Sequence, residues 1–418
     1  MEKSDPKPDK LAFTDEEIVA LKGFWTHLFD LLDLNSTNRP ADSPINNEMK
    51  ELISKHGPER YAEALWRFTM LDDPDYTVIR FIRARKLNVK DSVKMFIECL
   101  KWRIESDIDG LMAKGAHGII NQEGYDGAAF LLQITSGKTF VQGFSKIDGP
   151  VSYIFPRLHK TSDQSVEVMT DFINYAMENV RMFTTNLRAK KIAIFDLKGF
   201  GLANMDWKAV IYFNKCLEAY YPESLKLLII HNAPWVFHGV WKVLAPMLDP
   251  IVRSKIVFSK SSQDLLMHID KRYLLKEFGG ESTWVPYHRD SSPSQELDQT
   301  KKEELLNERK ELVAKYIELT NQWTDQGSTT EAELRSFLAL MMRAQGLLLD
   351  PYLRAKTFYH HEGNLLPTGL VGFCSEAEHT DWEYRGQAWS REELLAKLED
   401  MKTKFIGNGV EYPIFNLK

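Results

Sequence analysis

The fold is decided by residues 191–258, which contain three long motifs: KIAIFDLKGFG (191–201), EAYYPESLKLLIIHNAPWVF (218–237) and LDPIVRSKIVF (248–258). Apolar runs of strand length cover residues 191–197 and 225–230, and each is followed by turn residues and then by a helix-compatible pattern. A short third run covers residues 255–258. Strands that alternate with helices in this way are typical of βαβ units and predict an α/β sheet.

Two charged residues lie at the predicted strand ends of this region. Glu223 lies where the middle helix gives way to the next strand, and Lys255 opens the final strand after sixteen mostly apolar residues, 235–250. In open α/β sheets ligands are held at strand ends. The sequence therefore indicates a ligand site that includes Glu223 and Lys255.

Composition limits the classes of protein that fit. The chain has 418 residues, is 44% hydrophobic and carries a net charge of -6, which gives no electrostatic footprint for nucleic acid. Three cysteines, Cys99, Cys216 and Cys374, lack metal-site spacing and cannot all pair, so we expect a reducing compartment. The charged N-terminus fits no standard secretory signal, and no apolar run is long enough to span a bilayer. We expect a soluble, cytoplasmic protein.

Helical patterns dominate the first hundred residues. Thr14 with Glu17 forms a capping-box pattern before an apolar stripe, and residues 33–46 form a polar linker. Asp75 is a plausible cap for the helix that ends in the RARK run, and Asn88 or Lys90 opens the next one. Cations at the end of a helix complement its dipole, which explains RARK without any ligand.

Three apolar runs in residues 118–155 are interpreted as strands: FLLQI (130–134), KTFVQGF (138–144) and PVSYIF (150–155). Thr161 with Gln164 indicates the start of the next helix. Further along, Thr330 with Glu333 and Ser390 with Glu393 suggest two more capped helices, and the aromatic stretch between them is irregular.

No motif for covalent or metal-assisted catalysis is present, so we expect no enzymatic activity. His360, His361 and Glu362 suggest a metal site, but neighbouring side chains point apart, and a plain surface loop is the preferred interpretation. Gly199 and Gly201 imitate a dinucleotide fingerprint whose third glycine is replaced by Asn204. Asn204 is interpreted instead as a helix N-cap.

The chain resembles the CRAL-TRIO lipid-transfer family, and within it the non-classical fungal phosphatidylinositol transfer proteins of the yeast secretory-pathway type. The resemblance covers about residues 60–281 and extends more weakly to about residue 353. Besides the three motifs quoted first, it is carried by FIRARKLNV (81–89), LKWR (100–103), LLKEFGGE (274–281), FWTHLF (24–29), PRLHKTSDQ (156–164), ELVAKYIELTNQW (311–323) and LDPYLRAKTFY (349–359).

This resemblance implies a helical N-terminal lobe and a mixed or parallel sheet flanked by helices around an apolar lipid cavity. The corresponding segments are an N-terminal helix and linker (1–46), a helical lobe (47–112), a lipid-binding domain (113–283) and a C-terminal helical extension (284–418). The extension is expected to brace the lipid-binding part. A mobile gate helix would close the cavity. The cavity and gate residues would be Trp235, Phe237, Val240, Trp241, Leu244, Met247 and Leu248. By sequence alone, a helix that is apolar almost all round is equally a buried structural helix.

In the family, the headgroup of phosphatidylinositol is held at positions that fall here on Arg85, Lys86, Glu223 and Lys255. For Glu223 and Lys255 the alternative is a mutual surface salt bridge, which contributes little. Many relatives have threonine where this chain has Val252, so one headgroup hydrogen bond is expected to be missing.

Relatives that also carry phosphatidylcholine have serine and threonine at the positions of Lys191 and Ala193. Residues two apart on a strand share a face, so the hydroxyl pair is lost together, and Ala193 becomes an apolar cavity position. We expect phosphatidylinositol transfer with little or no phosphatidylcholine exchange, and a sterol or squalene-like molecule as a possible second ligand.

The resemblance implies a monomer that presents phosphatidylinositol to a kinase during transient contact with internal membranes, with no metal and no cofactor beyond the lipid. The alternative is a soluble carrier or sensor of a neutral apolar lipid that acts through protein partners. A weaker third interpretation is a nucleotide-dependent oxidoreductase.

Overall fold

The computed structural model describes residues 13–34, 44–184, 190–284, 297–376, 380–385 and 390–415. The chain divides into two compact units. Unit 1 is drawn from Met1–Ser106, Gln299–Leu349 and Ala388–Lys418, and unit 2 from Asp107–Asp298 and Asp350–Gln387. The region after residue 283, which the sequence suggested as one extension, therefore contributes to both units. Most of the predicted linker at 33–46 lies outside the described residues.

Unit 1 is helical. Its helices are α1 (Asp15–Leu31), α2 (Pro44–Ile53), α3 (Pro58–Phe68), α4 (Pro74–Ala84), α5 (Val89–Glu105), α13 (Gln299–Gln326), the larger part of α14 (Thr329–Leu353) and α16 (Arg391–Gly407). Phe24, Trp25 and Phe96 are fully buried, and Phe96 meets Phe81 edge-to-face with ring centroids 4.9 Å apart. Aromatic packing of this kind adds to the stabilisation from burial alone.

Local capping determines where these helices begin. The capping box of Thr14 and Glu17 is confirmed, and Asn88 is confirmed as the cap of α5. The prediction for Asp75 is wrong, because Asp73 caps α4 and Pro74 occupies its first position. Asp75 instead pairs with the buried guanidinium of Arg335, at 2.8 Å, and so links α4 to α14 within unit 1.

Unit 2 contains a five-stranded mixed sheet, as expected. The strands β1 (Thr139–Phe144), β2 (Pro150–Ile154), β3 (Lys191–Asp196), β4 (Leu225–His231) and β5 (Ile256–Ser259) lie in that order. Strands β1 and β2 are antiparallel, and the remaining neighbours are parallel. The crossovers contain α8 (Val166–Met182), α9 (Trp207–Lys215), α10 (Phe237–Leu244) and α11 (Pro250–Ser254).

Two helices of unit 2 differ from the prediction. The run FLLQI is not a strand but lies in α7 (Gly127–Thr135), which follows α6 (Ile108–Ile120). Asp126 caps α7 by accepting from the amide of Ala129, and short apolar runs do not distinguish strand from helix. Ser165, rather than Thr161, caps α8.

Asn204 does not cap a helix as predicted. It ends a 3₁₀ turn (Leu202–Asn204), and its side-chain Nδ2 donates to the carbonyl of His159 at 2.9 Å, while Asp206 caps α9. In unit 1, the start predicted at Thr330 is also shifted, because α14 already begins at Thr329, whereas Ser390 is confirmed as the cap of α16.

The stretch predicted to be irregular completes the core of unit 2. It contains α15 (Phe358–His361) and a hairpin formed by β6 (Val371–Phe373) and β7 (Glu383–Arg385). One further helix of unit 2, α12 (Ser262–Leu266), follows β5. Phe373 is fully buried and stacks on Phe183. His360 lies in α15 and accepts from the amide of Thr357, so the interpretation of this motif as a surface loop is wrong.

Candidate lipid-binding site

One face of the sheet in unit 2 is apolar but incompletely covered. Side chains alternate along a strand, and Ile192, Ile194 and Ile229 point into the closed core. The opposite face carries Ile154, Ala193, Phe195, Leu228, Ile230, Ile256 and Phe258. Ala193 is buried, but Phe258 on the edge strand is 48% exposed.

Helices α9 and α10 touch this apolar face at only a few points. Phe213 of α9 meets Phe195 with ring centroids 6.0 Å apart, and Trp241 of α10 meets Phe258 at 5.2 Å. No residue of α9 is buried, although the helix carries the apolar Trp207 and Ile211. An accessible apolar face under two helices is what the binding of acyl chains requires.

The sequence suggested that residues 235–248, the segment predicted to form a gate, would be buried on all sides. In the structure this segment is only partly buried. Helix α10 ends at Leu244 and is followed by a 3₁₀ turn (Ala245–Met247). Phe237 and Val240 are buried, whereas Trp235 is 84% exposed and Met247 is 50% exposed. A two-turn helix can cover only one stripe of its surface, so the alternative of a fully buried structural helix is excluded.

Three charged side chains meet at the amino end of the parallel strands, directly beside the apolar face. Glu223 Oε2 accepts a hydrogen bond from Lys190 Nζ at 2.8 Å, and Glu223 Oε1 lies 3.5 Å from Lys255 Nζ. The backbone explains the meeting, because the amide of Lys191 donates to the carbonyl of Ser224 and so places Lys190 beside Glu223. We call Lys190, Glu223 and Lys255 the amino-edge group.

Electrostatics favour an anionic ligand at the amino-edge group. Burial alone would raise the pKa of Glu223, but the hydrogen bond and charge of Lys190, together with Lys255, hold this pKa below its usual range. The carboxylate stays ionised, and two ammonium groups against one carboxylate leave one positive charge in excess. A phosphate could share these ammonium groups while the carboxylate accepts from hydroxyls.

The sequence missed Lys190, but it placed Glu223 and Lys255 correctly at the starts of strands. The rule that ligands bind at strand ends concerns the carboxyl ends, whereas this group precedes β3, β4 and β5. The mutual salt bridge considered for Glu223 and Lys255 is present, but Lys190 makes the shorter contact. Strand register would have indicated Lys190, since the residues before neighbouring parallel strands lie side by side.

Arg85 and Lys86 lie at the end of α4 in unit 1, so they do not belong to the same unit as Glu223 and Lys255. Arg83 of the same RARK run is paired with Glu17 at 2.6 Å. Lys86 is exposed with a left-handed φ of 50°, and within the described residues neither Arg85 nor Lys86 forms an ion pair. These two cations remain predicted headgroup ligands.

At positions 191, 193 and 252, where the relatives described above have a hydroxyl side chain, this chain has Lys191, Ala193 and Val252. Val252 is buried in α11. Lys191 is buried on the same strand as Ala193, with its Nζ 6.0 Å from the ring centre of Tyr221. The hydroxyl of Tyr221 donates to Glu178 Oε1 at 2.7 Å, and Glu178 also pairs with Arg181. This wall of the unit is therefore charged and lacks the serine and threonine pair.

Comparisons with known proteins define the family. The profile of the CRAL/TRIO domain matches residues 134–280, and that of the CRAL/TRIO N-terminal domain matches residues 45–98. The chain belongs to the CRAL-TRIO family of lipid-binding and lipid-transfer proteins. Among the described residues, no helix is long and apolar enough to cross a membrane.

Curated relatives span most of the chain. A CRAL-TRIO domain-containing protein of Schizosaccharomyces pombe is 31% identical over 80% of this chain and 78% of its own. The phosphatidylinositol transfer protein CSR1 of Eremothecium gossypii is 32% identical over 76% of this chain and 74% of its own. The SEC14 cytosolic factor of Kluyveromyces lactis is 26% identical over 60% of this chain and 82% of its own. A solved structure, that of Sfh5, matches 62% of this chain and 85% of its own at 17% identity, with a TM-score of 0.43.

Proposed function

We propose that this protein binds phosphatidylinositol and transfers it between membranes, presenting it for phosphoinositide synthesis. The proposal is carried by one observation: the amino-edge group, with its excess positive charge, adjoins an apolar sheet face that is buried at Ala193, Leu228 and Ile230 and exposed at Phe258 on the edge strand. The likeness to a protein named for phosphatidylinositol transfer supports it. The protein would act in the cytoplasm as a monomer, with a kinase as partner and only transient contact with internal membranes.

The energetics fit a two-chain lipid. Each methylene taken out of water is worth about 0.8 kcal/mol, so two acyl chains need an apolar surface that supplies on the order of 20 kcal/mol. Strand positions such as Leu228, Ile230 and Phe258 offer such a surface. Lys190 and Lys255 would take the phosphate, and Glu223 would accept from inositol hydroxyls.

Phosphatidylcholine is proposed to be excluded, or nearly so. The buried ammonium of Lys191 stands where relatives that carry phosphatidylcholine have a serine, and a cation there opposes a choline group. The same change makes a sterol or squalene-like molecule a reasonable second ligand. The competing function is a carrier or sensor of such a neutral lipid that acts through protein partners.

Transfer of radiolabelled phosphatidylinositol between vesicles separates the two functions. We expect Glu223→Gln with Lys255→Ala to lower transfer at least about tenfold, because each lost charged contact is worth about 1.4 kcal/mol or more. Lys226→Ala is the matched control, since Lys226 is an exposed lysine on β4. Unchanged phosphatidylinositol transfer in the double variant would favour the neutral-lipid carrier.

A further inference from the structure

A second cationic site lies at the opposite, carboxyl end of the sheet. An open cleft of about 520 Å³ is formed by the loops after β3, β4 and β5. Lys198 and Gly199 line it from the first loop, Asn232 and Ala233 from the second, and Lys260 from the third. Carboxyl ends of parallel strands are where open α/β sheets hold ligands.

The cleft is separate from the amino-edge group. Strand β4 has seven residues, Leu225–His231, and a strand rises about 3.3 Å per residue. Glu223 precedes this strand and Asn232 follows it, so the two sites lie on the order of 20 Å apart. A ligand in this cleft would therefore be distinct from the headgroup of the transferred lipid.

The carboxylates at the cleft already have partners. Asp196 is buried and accepts from Arg157 Nη1 at 2.5 Å and from Asn232 Nδ2 at 3.0 Å. Asp264 accepts from the backbone amide of Lys260 at 3.1 Å, within a capping box.

The side chains of the two lysines at the cleft are accessible to a ligand. Lys198 and Lys260 are exposed, and within the described part of the chain neither side chain forms an ion pair. The cleft is therefore positive, and its complement is an anion.

Exposed apolar side chains border the cleft and identify the source of this anion. Trp235 follows the cleft residue Pro234 and is 84% exposed, and Leu202 on the neighbouring loop is 63% exposed. Residues 235–248 include Lys242 but no Asp or Glu. Tryptophan beside lysine is the combination found where a protein meets the interface of a bilayer. A soluble anion would not require the exposed tryptophan.

We propose that the cleft of Lys198 and Lys260 binds the phosphate of an anionic phospholipid in the bilayer, while Trp235 enters the interface beside it. This inference rests on the proposed function, because it assigns the surface on which the protein docks when lipid is exchanged. It places docking at the carboxyl end of the sheet, next to the start of α10.

Vesicle sedimentation with the full chain tests the site. Vesicles of phosphatidylcholine with and without phosphatidylserine are compared for the parent, for Lys198→Ala with Lys260→Ala, and for Trp235→Ala. A lysine near an anionic surface is worth about 1 kcal/mol, so the double variant should bind the phosphatidylserine vesicles about 30-fold more weakly. Trp235→Ala should weaken binding to both kinds of vesicle.

Matched controls exclude a general effect of charge. Lys310→Ala with Lys397→Ala removes two exposed lysines of unit 1 and should bind as the parent does. The proposal would be overturned if this control lost as much vesicle binding as the Lys198 and Lys260 variant, or if that variant lost none. It would also be overturned by a result in which inorganic phosphate binds through these lysines but vesicle binding does not depend on them, since the site would then take a soluble anion.

The lipid content of the same samples, measured by native mass spectrometry, separates this proposal from the proposed function. A variant that carries phosphatidylinositol but fails to sediment locates the defect in docking. A parent protein that sediments normally but never carries phosphatidylinositol would refute the proposed function while leaving the docking cleft standing.

Discussion

Lys190 Nζ lies 2.8 Å from Glu223 Oε2, closer than Lys255, the lysine that the sequence indicated as the partner of this carboxylate. The contact joins the starts of two adjacent parallel strands, β3 and β4. It adds a second ammonium group to a site that would otherwise be neutral, and so makes the amino-edge group suitable for phosphate.

Removal of Lys190 should therefore reduce loading with phosphatidylinositol. We expect Lys190→Ala to lower the amount bound by roughly tenfold, because one charge-assisted hydrogen bond to phosphate is lost. The measurement is phosphatidylinositol bound per chain after incubation with donor vesicles. Lys226→Ala is again the control, and a Lys190 variant that loads as fully as this control would exclude Lys190 from the site.

Introducing the serine and threonine pair that this chain lacks should also introduce phosphatidylcholine binding. Lys191→Ser with Ala193→Thr removes a buried cation and places two hydroxyls on one face of β3, so we expect phosphatidylcholine to appear beside phosphatidylinositol. Extraction of lipid from the purified variant and the parent gives the ratio. Lys191→Ala is the matched control, since it removes the charge without adding hydroxyls. If the double variant still excludes phosphatidylcholine, these two positions do not set the selectivity.

Most of the sheet could be predicted, because its strands are apolar runs bounded by turn residues. KTFVQGF, PVSYIF and the starts of β3 and β4 lie where expected, and β5 begins one residue later than expected, at Ile256. FLLQI failed because four apolar residues within a run of five suit a helix as well as a strand, and a local cap at Asp126 decided between them.

The site was only partly predictable. Glu223 and Lys255 were indicated by their positions at strand starts and then by the resemblance, but Lys190 depends on strand register, which no local pattern reveals. The exposure of Trp235 and Met247 was missed for a related reason, since composition shows that a segment is apolar but not which side chains find partners. The role of residues 350–385 in the core of unit 2 was also hidden, because their contacts are distant in sequence.

Tyr359 shows how this late segment supports the sheet. Its hydroxyl accepts from the backbone amide of Val141 on the edge strand β1 at 2.9 Å. Tyr359→Phe leaves a buried amide unpaired and should lower the free energy of unfolding by about 1 to 3 kcal/mol. Denaturant unfolding measures the change. Ile414→Ala, at a side chain that is 85% exposed, should change it by less than about 0.5 kcal/mol. Equal stability of the two variants would argue against a bracing role.

Stability should depend on pH through Asp73 in unit 1. Burial, with repulsion from Asp75, raises the pKa of Asp73 from 3.8 to about 7. The unfolded chain releases this proton at lower pH than the folded one, so Asp73 lowers stability progressively as pH rises from about 4 to about 7. The total contribution is at most about 4 kcal/mol, since each pKa unit corresponds to about 1.4 kcal/mol.

Asp73→Asn separates this titration from the helix cap. Asparagine caps helices as well as aspartate does, so the variant should keep α4 and lose the decline in unfolding free energy across this pH range. Asp15→Asn, at an exposed position of α1, should show the same decline of unfolding free energy with pH as the parent. A parent and an Asp73 variant with identical pH profiles would show that Asp73 does not titrate in this range.

Native mass spectrometry of the full chain purified from cells tests the central claim most directly, because it reports what occupies the apolar face of the sheet. We predict a species whose mass exceeds that of the chain by one phosphatidylinositol molecule, and loss of that species in the variant with Glu223→Gln and Lys255→Ala. A protein that carries only phosphatidylcholine or a neutral lipid, or phosphatidylinositol in equal amount after both substitutions, would contradict the account.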